Sequence, residues 1–391
     1  MPISRRIAAY QEKGSWIRKL FEEGAQMAAD GSGLPVYDFS IGNPDLEPPA
    51  EFKQALRDIL DSEEKGTHKY MANMGYLETR RAVADSLAQD HDLPFAPENI
   101  TMTVGAGGAI NVAFKALLDV GEEVIAIAPY FVEYRFYAEN HGAQLVVAES
   151  APDFDFDIED IEAKITDKTR IVVITNPNNP TGVLYSQESL NALGDMLRRK
   201  SAGRERPIFL IDDAPYRKLV FDVDKCTSAF TAYENTLMGT SHSKDLGLPG
   251  ERIGFLAISP RLEGWQKLAG AAAFANRTLG FVNAPAMMQR VAARLQNVTI
   301  DLDWYRTRRD LFYNALTDMG YEMPYPGGAF YMFPKAPGGD DIAFINKLKE
   351  FRVLVVPGSG FGTPGYFRIA YCCDLEKIKG SLAAFEKAIR R

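Results

Sequence analysis

Short apolar runs recur through the middle of the chain, at 101–104, 124–128, 145–148, 171–175, 208–211 and 253–258, with helical stretches such as 131–140, 158–165 and 187–197 between most of them. Strands that alternate with helices predict an α/β architecture built on a mostly parallel sheet. In such sheets a ligand sits beyond the carboxyl ends of the strands. The residues that follow each apolar run are therefore where chemistry is to be sought.

After the first run, Gly105-Ala106-Gly107-Gly108 leads into a helix. Backbone amides at a helix start hold phosphate, and small side chains let the anion approach. The third glycine of a dinucleotide fingerprint would fall on Ile110, and no Walker sequence occurs, so neither NAD nor ATP is indicated. A tight turn needed for packing is the other reading. After the second run, Pro129-Tyr130-Phe131 places aromatic rings at the sheet edge, to pack in the core or to stack on a flat cofactor. The run 171–175 passes into Asn176-Pro177-Asn178-Asn179-Pro180-Thr181-Gly182, where X-Pro bonds are open to the cis form and two asparagine side chains are available to a phenolic oxygen or a carboxylate. The run 208–211 ends in Asp212-Asp213-Ala214-Pro215-Tyr216. A carboxylate there is costly to bury unless it meets a cation, such as a protonated pyridine nitrogen; a solvated loop accounts for one of the pair.

An extended run, Thr236 to Thr240, precedes Ser241-His242-Ser243-Lys244, and Arg252-Ile253-Gly254 follows. A lysine among small residues, desolvated near another cation, has a lowered pKa and becomes a nucleophile able to form a Schiff base. An arginine grips phosphate with a planar, permanently charged fork. A Schiff-base lysine, a phosphate grip and a carboxylate for a ring nitrogen describe a pyridoxal phosphate site. Taken singly, Lys244 and Arg252 read rather as an exposed loop lysine and a surface charge.

The flanks differ in character. Tyr37 to Ile41 is a short strand that stops at Gly42-Asn43-Pro44, either a simple turn or a backbone amide beside a ligand. Tyr70 sits in the loop 67–75, and residues 5–30 read as a helical entry with Ile7, Tyr10, Trp16, Ile17, Leu20 and Phe21 on its stripe. Beyond residue 285 two long helices precede short strands at 329–333, 353–356 and 367–371, the last carrying Arg368 between apolar neighbours. That arginine is either an edge residue or a buried carboxylate grip. With 391 residues the chain divides into two expected domains, a large α/β domain at 49–286 and a smaller α+β domain made of 1–48 and 287–391.

Composition narrows the class further. A net charge of −8 and a pI near 5.3 argue against a nucleic-acid or anionic-membrane partner. No apolar run is long enough to span a bilayer, no secretory leader is evident, and Cys226, Cys372 and Cys373 form no disulfide pattern, so a reducing cytoplasm is expected. No metal site is expected. The histidines are scattered, and Asp153, Asp155 and Asp157 have EF-hand spacing but put Ile158 and Lys164 where glycine and glutamate belong. Asp157 reads instead as a helix cap.

Taken together, Ser-x-Ser-Lys…Gly-x-Arg-x-Gly around Lys244, Asn-Pro-Thr-Gly at 179–182, Asp-x-x-Tyr at 213–216 and the strand arginine at 368 resemble the class I/II aminotransferases of pyridoxal phosphate fold type I, over nearly the whole chain. The resemblance implies that Lys244 carries the cofactor and then serves as base and acid, and that Asp213 keeps the pyridine nitrogen protonated. It implies that Tyr216 and Asn179 address the ring oxygen, that Phe131 stacks on the ring, and that Ala106, Gly107, Ser241 and Arg252 hold the phosphate. Arg368 would grip the substrate α-carboxylate, helped by Asn179 and Gly42. Tyr70 would reach the neighbouring subunit's site in a homodimer, and Ala128-Pro129 and Asn179-Pro180 match positions often cis. The implied reaction moves an amino group between an L-amino acid and a 2-oxo acid with ping-pong kinetics. A C–S β-lyase on the same residues is the alternative, and an effector-binding regulator or a dinucleotide dehydrogenase are more distant ones. One departure stands out: where dicarboxylate-specific relatives carry an arginine this chain has Thr278, with Arg277 one residue off.

Overall fold

The computed structural model describes residues 2–12, 23–27, 29, 31–62 and 65–390. The expected entry helix begins as Arg5–Glu12, while Trp16, Ile17, Leu20 and Phe21 of its stripe lie outside the described residues. In chain order the strands are β1 (Tyr37–Asp38), β2 (Ile100–Thr103), β3 (Glu123–Ile127), β4 (Gln144–Ala148), β5 (Thr169–Ile174), β6 (Phe209–Asp213), β7 (Thr236–Ser241), β8 (Gly254–Ile258), β9 (Tyr331–Met332), β10 (Val353–Leu354), β11 (Val356–Pro357) and β12 (Phe367–Ala370).

Seven of them form one sheet in the order β2-β8-β7-β6-β5-β3-β4. The pairs β4–β3, β3–β5, β5–β6 and β6–β7 are parallel, whereas β8 runs antiparallel to both β7 and β2. The sheet is thus mostly parallel, as the strand–helix alternation predicts. Its inner strands are buried along their length because helices cover both faces. On one side Ala109, Ala113 and Phe114 of the helix Gly105–Leu117 pack with Ala269, Ala272 and Ala275 of Trp265–Thr278. On another, Leu190, Leu193 and Leu197 of Gln187–Ser201 pack against Ile125, Val172 and Leu210. Each of the larger side chains among these, the leucines, Phe114, Ile125 and Val172, contributes on the order of 1.5–3 kcal/mol through burial. The helix Ile158–Lys164 is capped by Asp157, whose side chain accepts from the Asp160 amide, which is why the acidic run there is a helix start.

The remaining strands form a two-stranded parallel sheet, β1-β10, and a three-stranded antiparallel one, β11-β12-β9. The run 353–356, expected as one strand, is divided, because β10 pairs with β1 while β11 pairs with β12. Phe39 joins the two regions: its amide donates to Leu354 and its carbonyl accepts from Ala370, both at 2.9 Å, and its ring packs 5.2 Å from Phe312. The segment leading to Gly42 is therefore anchored to the C-terminal strands. Among the described residues no helix is long and apolar enough to cross a membrane.

Candidate active site

Gly42, Ala106, Gly107, Phe131, Asn179, Asp213, Tyr216, Ser241, Lys244, Arg252 and Arg368 line one cavity of about 340 Å³ at the carboxyl ends of β5, β6 and β7. Tyr70 does not line it; in the single chain its side chain is 89 % exposed. Arg277 is also exposed, lying 5.0 Å over the ring of Phe274.

Lys244 is held by a short, strongly braced turn. β7 runs directly into His242–Asp245, where buried Asp245 accepts from or pairs with His242 at 3.1 Å and Lys218 at 3.7 Å. Ser241 Oγ donates to Ser243 Oγ at 3.1 Å on the cavity side of the same turn. With its neighbours so fixed, Lys244 projects into the cavity and its Nζ donates to the Gly42 carbonyl at 2.7 Å. Burial lowers its pKa to about 8, and the nearby charges of Arg368 and Arg252 act in the same direction. The neutral amine, the nucleophilic form, is thereby accessible near neutral pH.

Arg252 is the residue that follows the turn Pro249–Glu251, in the left-handed region at φ 52°. Its Nη1 donates to the Pro249 carbonyl at 2.8 Å, which turns the guanidinium toward the start of the helix Gly105–Leu117. That approach requires glycine twice. A Cβ on Gly105 (φ +76°) would lie 2.7 Å from Arg252 Nη2, and one on Gly254 would overlap the Thr240 carbonyl and the Gly105 backbone. The result is an anion cradle: unpaired first-turn amides at Ala106 and Gly107, the hydroxyls of Ser241 and Ser243, and a guanidinium.

β6 shows which of two adjacent acids matters. Side chains alternate along a strand, so Asp213 lines the cavity while Asp212 faces the opposite side, lining a second cavity of about 400 Å³ with His91, Arg217 and Cys226. That second space is larger but contains none of the anion cradle, and its Arg217 is already paired with Asp90 at 2.6 Å. Asp213 Oδ2 accepts from Tyr134 Oη at 2.6 Å, whereas Oδ1 is buried without a partner. Burial pushes the Asp213 carboxyl up to about 6, against the pull of Tyr134. Burial and then the charge of Asp213 push Asp212 up to about 8.

Arg368 sits on β12, buried, with Nη1 donating to Asn179 Oδ1 at 3.1 Å and Nη2 to the Ser40 carbonyl at 2.6 Å. Its Nε is buried and unpartnered. Of the asparagines at 176–182 one, Asn179, lines the cavity. Asn178 instead closes its own turn through Thr181 and Tyr185, and Asn176 bonds Thr227 and the Tyr185 amide, so the expectation of two asparagines for a ligand is corrected to one. The bonds Ala128-Pro129 and Asn179-Pro180 are cis, and so is Asn176-Pro177.

Several residues at the site escaped the sequence reading, four of them with hydroxyls of their own beside it. Tyr134, three residues after Phe131, braces Asp213 and also meets Thr175 Oγ1 at 2.8 Å. Tyr137, one turn further along the helix Glu133–Asn140, brings its hydroxyl to 3.1 Å from where a Cβ on Gly107 would be. Ser243 and Tyr331 line the cavity as well. The i, i+3 spacing of Phe131, Tyr134 and Tyr137 was the available signal for the first two.

Pyridoxal phosphate fits these residues. The unpartnered Asp213 oxygen calls for a cationic donor of the pyridinium kind, the cradle suits a phosphate, and a lowered-pKa lysine stands between them. The profile of the family described as "Aminotransferase class I and II" matches residues 35–385. An aspartate/prephenate aminotransferase of Thermus thermophilus is 30 % identical over 368 residues, covering 92 % of each chain. An aromatic-amino-acid aminotransferase of Thermococcus litoralis is 30 % identical over 392 residues, covering 96 % of each. A crystal structure of an amino transferase from Eubacterium rectale superposes with a TM-score of 0.96 at 40 % identity, covering 100 % of this chain and 99 % of that one. The chain belongs to the class I and II aminotransferases, pyridoxal-phosphate-dependent transaminases of fold type I.

Proposed function

We propose that Lys244 is the Schiff-base lysine of this transaminase and that the cavity around it is the place where an L-amino acid and a 2-oxo acid exchange an amino group. The observation that carries the reading is the convergence of Lys244, Asp213, Arg252 and Arg368, from three separate stretches of sequence, on one cavity of about 340 Å³. When bound, the cofactor supplies an electron sink for the pair left at the substrate Cα. Lys244 Nζ accepts the proton that leaves Cα and returns it in the opposite half-reaction. Asp213 Oδ1 keeps the ring nitrogen protonated, and Tyr134 keeps Asp213 aimed. Ala106, Gly107, Ser241 and Arg252 hold the phosphate, Phe131 flanks the ring, and Tyr216 and Asn179 donate to its ring oxygen.

Arg368 takes the α-carboxylate, the group shared by every donor and acceptor, with Asn179 and Gly42 beside it. Two relatives are named for different substrates, aspartate and prephenate in one and aromatic amino acids in the other. A common carboxylate grip serves both. Arg368→Lys keeps the charge but loses the fork, so KM for the amino acid and for the oxo acid should each rise about 10- to 100-fold, with the cofactor's absorption unchanged. Steady-state kinetics with both substrates varied check this; an unchanged KM would remove Arg368 from substrate binding.

The working unit in this reading is a homodimer in a cytoplasmic setting, with Tyr70 of each chain reaching its neighbour's phosphate. The division into a large domain at 49–286 and a smaller one at 1–48 plus 287–391 is kept as part of the same proposal. The relatives' names do not favour a β-lyase.

The test is the visible spectrum of the purified holoenzyme before and after a panel of L-amino acids, followed by pyruvate or 2-oxoglutarate. Loss of the resting absorption with one amino acid, and its return with an oxo acid, is expected. Release of ammonia and pyruvate with no change of form that an oxo acid reverses would replace the transaminase reading with a lyase.

A further inference from the structure

Three parts of the cavity meet on Tyr331, a residue of β9. Its Oη lies 2.8 Å from Tyr216 Oη, and both phenols are buried. The Arg368 guanidinium sits over its ring at 4.7 Å. A Cβ built on Gly42 would overlap its hydroxyl, so the absence of a side chain at 42 is what gives that hydroxyl its place. Tyr216 and Tyr331 meet edge to face, with centroids 5.6 Å apart and planes at 82°, which fixes the relative position of the two oxygens.

Each phenol has one hydrogen, and either is able to bridge the pair. Direction follows from the reading of Tyr216 as a donor to the cofactor's ring oxygen, on which this inference rests. If the Tyr216 hydrogen is turned into the cavity, Tyr331 must donate the bond between them. One feature favours that direction: Arg368, the charged neighbour above the ring, has donors and no acceptor, so it offers the Tyr331 hydrogen nothing. Burial raises the pKa of both phenols, and the charge of Arg368 pulls the other way.

We propose that Tyr331 is a positioning residue whose hydroxyl donates to Tyr216, turning the Tyr216 hydrogen toward the cofactor and strengthening it as a donor. Chained hydroxyls polarise one another, so the second bond is stronger for the presence of the first. A hydrogen bond to the ring oxygen favours the more negative form of that oxygen, the form present once the neighbouring nitrogen has lost its proton. Weakening the donor therefore raises the pH at which the cofactor's visible absorption changes.

The experiment compares holoenzyme with Tyr331→Phe, Tyr216→Phe and Gly42→Ala by the pH midpoint of that absorption, with circular dichroism as the check on folding. Tyr331→Phe keeps the ring beneath Arg368 and removes one oxygen. Its midpoint should rise by about half to one pH unit, in the same direction as Tyr216→Phe and by less. Gly42→Ala, which displaces the hydroxyl without deleting it, should move the midpoint the same way, and it decides the matter if Tyr331→Phe does not fold. A shift in Tyr216→Phe with none in the other two overturns the role of Tyr331 alone. No shift in Tyr216→Phe overturns the Tyr216 reading and this inference with it. Failure of a folded Tyr331→Phe to retain cofactor would assign the hydroxyl to binding instead, and would also overturn the proposal.

Discussion

Lys244→Ala is expected to lower turnover by at least about 10⁴-fold and to abolish the protein's resting visible absorption, while the chain still folds and still binds pyridoxal phosphate more weakly. The size of the effect comes from two losses at one atom. Nζ is the covalent anchor in the proposed reading, and it is also the base poised beside the substrate Cα. Its position does not depend on its own side chain, because the turn that carries it is braced by Asp245, His242 and Lys218. Removing the amine therefore leaves the cradle formed by Gly105–Gly107, Ser241 and Arg252 in place. Absorption spectra, cofactor binding and single-turnover rates on the same preparation separate these consequences. A variant that retained a tenth of wild-type turnover would show that another group moves the proton.

That Lys244 lies with the other residues lining the cavity was legible in the sequence, for a physical reason. Residues at or just beyond the ends of β2, β5, β6 and β7 fall at the carboxyl edge of a mostly parallel sheet, and Gly107, Asn179, Asp213 and Lys244 occupy those places. Reading each strand's end was enough to collect them. The tyrosines were not legible in the same way. Tyr134, Tyr137 and Tyr331 carry no such signal, since a phenol is apolar over its ring and polar at one atom, and its partner is set by packing between distant segments. The asparagines at 178 and 179 are neighbours but differ in placement, because Asn178 is consumed by its own turn while Asn179 lines the cavity. The antiparallel placing of β8 between β7 and β2, and the division of 353–356 into two strands, depend likewise on pairing partners that no local pattern names.

Asp213→Asn is expected to separate stability from activity, lowering turnover by about 10³-fold while making the cofactor-free protein more stable at neutral pH. The carboxyl is buried, and in the cofactor-free chain it has no cation beside it: Oδ2 has Tyr134 and Oδ1 has nothing. Its pKa is therefore raised, from 3.8 to about 6. A raised acid pKa means that the folded state holds its proton more tightly than the unfolded chain does. Stability from this group is then full below pH ~3.8 and falls as pH rises through ~6, so at pH 7 the ionised carboxylate costs on the order of 3 kcal/mol. An amide carries no such cost, accepts from Tyr134 through its oxygen, and should raise the thermal midpoint of the cofactor-free protein by a few degrees. With cofactor bound the comparison should invert, since in the proposed reading the same carboxylate meets a pyridinium and holds its proton, which an amide does not do. Asp212→Asn provides the contrast. It lies on the same strand with its carboxyl pushed up to about 8, but it faces away from the cavity. It should stabilise the cofactor-free chain without the loss of turnover. Thermal melts at pH 5 and pH 7.5, with and without pyridoxal phosphate, and steady-state rates for both variants give the full comparison. An Asp213→Asn enzyme within tenfold of wild type would mean that the unpartnered oxygen is not what keeps the ring nitrogen charged.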